Sequence, residues 1–542
     1  MTLRAELVVC GNVVVEAESD GLVVEEAVGI AGGRVVAVGR REDVRAAARP
    51  GARVIDAGSA AVVPGLHDFH IHLVGLARSR VAVDLDVARD GGQALDLLAR
   101  RAAETAPGAW VSGRGWAEAQ LGSIEPGRIE DAVHGHPVFV TSHDGHSAWA
   151  SAAARRLAGI SGSTPDPAGG RLERDESGET TGFLRETALD LVATVVPRLQ
   201  GDVLRDPMAT TLGELAQLGI TGATEAGDYT DRNGIGADSA LGDSYSSLTD
   251  LAGLVDGRLR LTLGIPVDAI GAAADRGYRT GLSLKDRVTM RFGWAKEYAD
   301  GALGSGTAAL FTPSSCRGGD TGILRVTPES LDEIFTAGRR AGIGLAVHAI
   351  GDRAAAAVLD AVERAPQRTA ATPNDRMEHV QLLRASDRAR LVAGGVTASI
   401  QPIHAAADRD LVESCWQGRQ ADAYAWNSLA RAGVVLAAGS DAPVESVNPW
   451  LGMFAAVHRR LPSDTRGDWR PGQALTLAAA LHAYTLAPAL ALGKTDEGHL
   501  RIGARADLAV LSIDLDELLR ADESLPTVRS ELTIVGGREI SS

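Results

Sequence analysis

Apolar positions fall into two textures along the chain. Residues 1 to about 62 carry short β-rich runs bounded by glycines: Glu6–Gly11, Gly33–Gly39 and Ala52–Asp56. The same texture returns in Ala506–Leu511 and Leu532–Arg538. Both termini are therefore predicted to share one small sheet domain, since chain ends often lie close together. From about Leu212 the rhythm becomes regular. Strand-like runs Ile220–Ala226, Arg258–Ile265, Thr289–Ala299, Gly344–His348, Arg376–Val380, Val396–Gln401 and Val434–Ser440 succeed one another. Most are separated by helical patterns such as Glu329–Gly342, Ala354–Arg364 and Ala385–Ala393. With the run that ends in His70 and His72 they make eight. Alternating β and α units predict a parallel sheet, and eight units predict a closed (β/α)8 TIM-like barrel. An open doubly wound sheet is the alternative, but no GxGxxG stands at a first β–α turn to support it.

The expected organisation is a β-sandwich domain from 1–62 plus 497–542 and a barrel from 63–75 plus 206–496. An insertion at 76–205 follows the first barrel strand. Helices are expected over Gln93–Ala106 and Arg205–Leu218, a strand over Pro137–Ser142, and a turn-rich loop from Ser161 to Gly170.

The chemistry concentrates at predicted strand ends, where a β/α barrel keeps its reactive groups. Strict alternation in Val63–His72 puts Asp68, His70 and His72 on one face, with Phe69 and Ile71 on the other. Lys296, His348, His379 and Asp441 fall at the ends of later strands. Imidazole and carboxylate together suit Zn²⁺, with other divalent transition metals as substitutes. Plainer readings stand beside these. Lys296 pairs with Glu297 or Asp300, His348 and His379 are satisfied core histidines, and Asp441 caps a helix. His143, His146 and His404 contact substrate, orient ligands or only bond loops. Trp110, Trp116 and Trp149 wall a pocket or pack the insertion.

In Pro64–His72, Asp144–Ser147, Gly219–Thr221, Lys296 with Asp300–Ser305, Val347–Asp352, Glu378–His379, Gln401–His404, Gly439–Val444 and Gly503–Leu511 the chain resembles the amidohydrolase superfamily. More narrowly it is similar to the YtcJ-like branch that includes N-substituted formamide deformylases. That resemblance implies metal ligation by His70, His72, His348, His379 and Asp441, with Lys296 carboxylated by CO₂ and bridging two metals. It further implies attack of a metal-activated hydroxide on a carbonyl carbon, with Asp441 as general base and then general acid. His143, His146, His404 and Asp300 are the candidates for the substrate side. The chain departs from the family pattern at Gly306, where arginine is usual, and at His67, where a small or apolar residue is usual. The implied activity is hydrolysis of carbon–nitrogen bonds other than peptide bonds in a small molecule. The alternatives are a deaminase, an ester or lactone hydrolase, or a non-catalytic barrel that binds a metal or small molecule.

Composition narrows the partners. The 542 residues carry a formal net charge of −16, which argues against nucleic acid or an anionic membrane surface. The first residues do not read as a signal peptide, and no apolar run reaches membrane-spanning length. Cys10, Cys316 and Cys415 are scattered without CxxC spacing, so no disulfide framework and a reducing, cytoplasmic setting are expected. A two-fold homodimer is the base-rate expectation for assembly.

Overall fold

The computed structural model describes residues 4–116, 126–142, 145–167, 169–197, 201–227, 241–316, 318–368 and 373–540. Eight strands form the central sheet: β1 (Leu66–Ile71), β2 (Ile220–Glu225), β3 (Arg260–Pro266), β4 (Met290–Tyr298), β5 (Leu345–Ala349), β6 (Arg376–His379), β7 (Thr397–Ile400) and β8 (Leu436–Ala438). They lie side by side in chain order, and every ladder between neighbours is parallel. The ring is drawn shut just past β8. There the Asp441 amide donates to the His70 carbonyl at 2.7 Å, and the Ser440 amide donates to Asp68 Oδ1 at 3.0 Å. Gly439 makes this approach possible, because a Cβ there would stand 2.3 Å from the His70 nitrogen.

The strands are buried on both faces, and all nine residues of β4 are buried, its charged Arg291, Lys296 and Glu297 included. The surrounding helices show why their sequences stop where they do. In Pro328–Ala341 the Thr327 side chain accepts from the Ser330 amide, and Pro328 stands in the first turn. Leu331, Phe335 and Gly338 bury one face, and Gly342 ends the helix in the left-handed region at φ +69°. Thr327→Ala would remove the cap, at a cost of about 1 kcal/mol.

Both termini enter one seven-stranded sheet. Its order is 538–540, 530–535, 508–514, 48–64, 5–17, 22–31 and 34–39. The 48–64 strand passes through Gly65 directly into β1. A Cβ at Gly65 would sit 2.0 Å from Thr221 Oγ1, so the turn that feeds the metal-seeking strand accepts only glycine. Between β1 and β2, strands 83–84, 111–116, 138–142, 147–150, 180–186 and 170–174 form a separate six-stranded sheet. Trp116 and Trp149 are buried in the core of this sheet and Trp110 packs against a neighbouring cluster, so these indoles fill the insertion.

One expectation fails outright. Cys316 and Cys415 form a disulfide across a separation of 99 residues, while Cys10 is free and buried. Spacing along the chain hid the pair. The loop after β4 and the helix Arg409–Cys415 after β7 meet over the barrel, where the Ser315 amide also donates to the Cys415 carbonyl at 2.9 Å. No helix among the described residues is long and apolar enough to cross a membrane.

Candidate metal centre

The strand ends converge as their sequence positions suggested, but the first does not run straight. The β1–β2 register shifts between Asp68 and Ile71, so strict alternation is broken at the point where the histidines emerge. Phe69, expected opposite the ligand set, instead packs edge-on against Trp294 with ring centroids 5.6 Å apart. It also lies 3.9 Å beneath the Arg376 guanidinium. Asp68 does not join the imidazoles either. Its Oδ1 accepts the His70 and Ser440 amides, and burial raises its carboxyl to about 7. His67 is bonded through Nε2 to Thr224 Oγ1 at 2.9 Å; burial, helped by Arg291 and Arg376, lowers it to about 3.

Asp441 is the focus. Its Oδ1 lies 3.2 Å from both His70 Nε2 and His72 Nε2. Its Oδ2 lies 3.6 Å from His404 Nε2 and 4.0 Å from His379 Nδ1. Burial works against its negative charge, but the facing imidazoles of His70, His72 and His379 hold the carboxyl well below the usual range. This placement disposes of the helix-cap reading. Asp441 at φ +61° and His379 at φ +72° are both left-handed, strain that a packed site must hold in place.

Partners behind the imidazoles set which nitrogen faces inward. His70 Nδ1 bonds to the buried Glu378 carboxylate, which Arg376 clamps in turn. That leaves Nε2 of His70 buried with no hydrogen-bond partner among the described residues. His379 donates Nδ1–H to the Gln401 side-chain oxygen at 2.8 Å, leaving its Nε2 a lone pair. His348 donates Nε2–H to the Gly301 carbonyl at 3.0 Å, leaving Nδ1. Burial keeps His348 and His379 well below the usual imidazole range, hence neutral, as metal ligands must be. His72 moves the other way: burial opposes its charge, but the bond and the charge of Asp441 raise it on balance.

Lys296 is buried, with its ammonium 4.8 Å from the Tyr298 ring centroid. Burial outweighs the nearby Glu378, Asp441 and Glu225 charges and lowers it to about 8. The plainer alternative, a Lys296–Asp300 pair, is not what holds Asp300. Its Oδ1 accepts the Ile350 amide at 3.0 Å and its Oδ2 accepts the Ala309 and Gly351 amides, both at 2.8 Å. Asp300 was placed on the substrate side; with three backbone amides on its carboxylate, it ties together the loops after β4 and β5. Burial raises this carboxyl to about 7.

Of the remaining candidates, His146 comes from the insertion and its ring lies 5.7 Å from that of His348. Its Nδ1 bonds to Glu186 Oε2 at 3.0 Å. His143 lies outside the described residues. His404 reaches Asp441 directly. Glu378 and Gln401, which orient His70 and His379, were not assigned roles from sequence. The signal was present in the adjacent Glu378–His379 pair and in Gln401–His404, but nothing in the spacing says which carboxylate or amide lies behind which ring.

Two donor groups thus share one carboxylate, His70/His72/Asp441 and His379/His404/Asp441, with ligand atoms within 4.8 Å of one another in each. An orphaned, buried imidazole nitrogen aimed at a carboxylate that other imidazoles also face fits a divalent cation. An eight-stranded parallel barrel carrying this donor set at its strand ends defines the class: a metal-dependent hydrolase. A model of the Amidohydrolase family matches residues 53–540, and the chain belongs to that family.

The chain is 29% identical to the putative amidohydrolase YtcJ of Bacillus subtilis (strain 168) over 471 residues, 86% of each chain. It is 28% identical to the N-substituted formamide deformylase of Arthrobacter pascens over 508 residues, 90% of each. In fold it matches the structure of an uncharacterized metal-dependent hydrolase from Pyrococcus horikoshii OT3, with a TM-score of 0.75 and 24% identity over 96% of this chain and 99% of that one.

Proposed function

We propose that the chain hydrolyses a carbon–nitrogen bond other than a peptide bond, with an N-substituted formamide as the sharpest form of the substrate. The observation that carries this is Asp441, an ionised carboxylate held against imidazole nitrogens on both of its oxygens. The name of the Arthrobacter relative supplies the formamide.

In this reading His70, His72, His348, His379, Lys296 and Asp441 hold the metal, with zinc favoured by the nitrogen-rich donor set. Lys296, lowered to about 8, presents at neutral pH far more free amine than an ordinary lysine, and a free amine is what carboxylation by CO₂ requires. A bound divalent cation supplies Lewis acidity, for activating water and polarising the substrate carbonyl. The protein's own groups do the rest. Asp441 takes a proton from the attacking water as the new C–O bond forms, then delivers it to the nitrogen as the C–N bond breaks. A formamide and water become formate and an amine. Glu378 keeps His70 Nδ1 protonated and Gln401 does the same for His379, fixing which nitrogens face the reaction. His146, braced by Glu186, lines the substrate side next to His348.

The test is metal content by inductively coupled plasma mass spectrometry on protein purified without chelators, then a panel of N-substituted formamides, amides and cyclic amides. Formate release with amine formation is the expected result. Ammonia release would shift the reaction to deamination, and acid release from esters or lactones to ester hydrolysis. No turnover by fully metal-loaded protein on any member would sink the reading.

A further inference from the structure

His404 has a place in the structure that a general substrate-side role does not explain. It lies in the first helical turn after β7, in Gln401–His404, and is nine-tenths buried. Its Nε2 is fully enclosed and has no hydrogen-bond partner among the described residues, yet it points at Asp441 Oδ2 from 3.6 Å. Its ring stacks on that of His379, 5.9 Å away at 16°. Behind it, the Gln381 amide nitrogen lies 3.4 Å from His404 Nδ1, while the Gln381 side-chain oxygen is buried and unpartnered. Oxygen and nitrogen of a carboxamide exchange places on a half-turn. That half-turn gives Gln381 Oε1 a proper donor, His404 Nδ1–H, and leaves His404 Nε2 with its lone pair aimed into the site. A cation before Nε2 then accounts for the orphaned His404 nitrogen.

We propose that His404 is a metal ligand. With His379 and Asp441 Oδ2 it builds a cation position distinct from the one that His70 and His72 build on Oδ1, so that Asp441 is shared between two ions. The assignment rests on the hydrolase reading above and deepens it. The barrel then has enough donors for a second ion without a lysine carbamate, and Gln381 is the positioning residue that sets the His404 tautomer.

The test is chelator competition with zinc-reconstituted protein, together with the visible absorption of the cobalt-substituted form, for wild type, His404→Ala and His72→Ala. His404→Ala should weaken one bound ion by at least about 100-fold and change the cobalt ligand-field bands, while the metal-free variant melts with the metal-free wild type. His72→Ala should weaken the other ion and leave the His404-dependent one measurable. Unchanged stoichiometry, affinity and cobalt spectrum in His404→Ala would overturn the assignment while leaving the hydrolase reading intact. A wild type that takes up no metal even after reconstitution would overturn both.

Discussion

The two ends of the barrel bury charge in opposite ways. Where the barrel strands begin, three buried arginines each meet a carboxylate. Arg291 Nη2 meets both oxygens of Glu497 at 2.9 and 2.8 Å. Arg260 grips Asp507 through two nitrogens, and the Gly536 amide adds a third contact to that carboxylate at 2.6 Å. Arg339 does the same for Asp375, which also accepts the Leu345 amide at 2.9 Å. At the other end, four imidazoles crowd one carboxylate with a buried lysine nearby, two imidazole nitrogens have no hydrogen-bond partner among the described residues, and both His379 and Asp441 sit at positive φ. The first end is built of paired charges, two of which tie the terminal segment to the barrel. The second is deliberately incomplete, as a site that completes itself with a ligand must be. Stability and chemistry are therefore separable in this molecule, and single substitutions should separate them.

The largest effect belongs to Asp441→Asn. It keeps the shape but removes the proton carrier, so turnover should fall by about 10³-fold, within the span general acid–base groups contribute. Metal-free melting should hardly move. Retained turnover would break the comparison at its functional end. The counterpart is Glu497→Ala, which leaves Arg291 buried with its charge uncompensated. Unfolding in urea should show a loss of about 3–5 kcal/mol, with turnover per folded molecule unchanged. A drop in turnover instead would mean that the two ends are coupled.

The same contrast explains what the sequence disclosed. Eight strands, their order and the residues at their ends follow from periodicity, because buried parallel strands must be apolar and their ends must not be. His70, His72, His348, His379, Lys296 and Asp441 all meet at one end for that reason. What periodicity misses is whatever crosses the barrel. Glu378 behind His70 is 308 positions away in the chain, and the Cys316–Cys415 bond joins loops that only the closed ring brings together. Asp300, expected on the substrate side, shows the same limit: nothing in its glycine-rich loop reveals that backbone amides of two segments occupy its carboxylate. Phe69 was misplaced because a single shifted register resets alternation.

Glu378→Gln sharpens the comparison within the functional end, since Glu378 links the Arg376 guanidinium to a histidine whose other ring nitrogen has no hydrogen-bond partner among the described residues. The amide loses the charge that holds His70 Nδ1–H and frees Arg376 from its ion pair. Metal affinity should weaken by about 10–100-fold, measured by chelator competition, with the barrel still folded. Undiminished affinity would show that His70 does not depend on this support.

The smallest effect is also the most diagnostic of a site built at the expense of the metal-free fold. Buried Lys296 has its pKa lowered from 10.5 to about 8 in the folded chain. Between those values the unfolded chain binds a proton that the folded chain does not, so stability rises with pH across that window. Below about 8 the cost of holding the buried ammonium is present in full; above 10.5 it is gone. The window corresponds to roughly 3 kcal/mol at most. Metal-free Lys296→Met should therefore be more stable than metal-free wild type at pH 7, by on the order of 1–3 kcal/mol, and the gap should close as pH approaches 10.5. Urea unfolding at pH 7, 9 and 10.5 measures it. A variant that is less stable at pH 7, with the wild-type pH slope intact, would mean that Lys296 supports the fold rather than burdening it. The incomplete end would then not extend to β4.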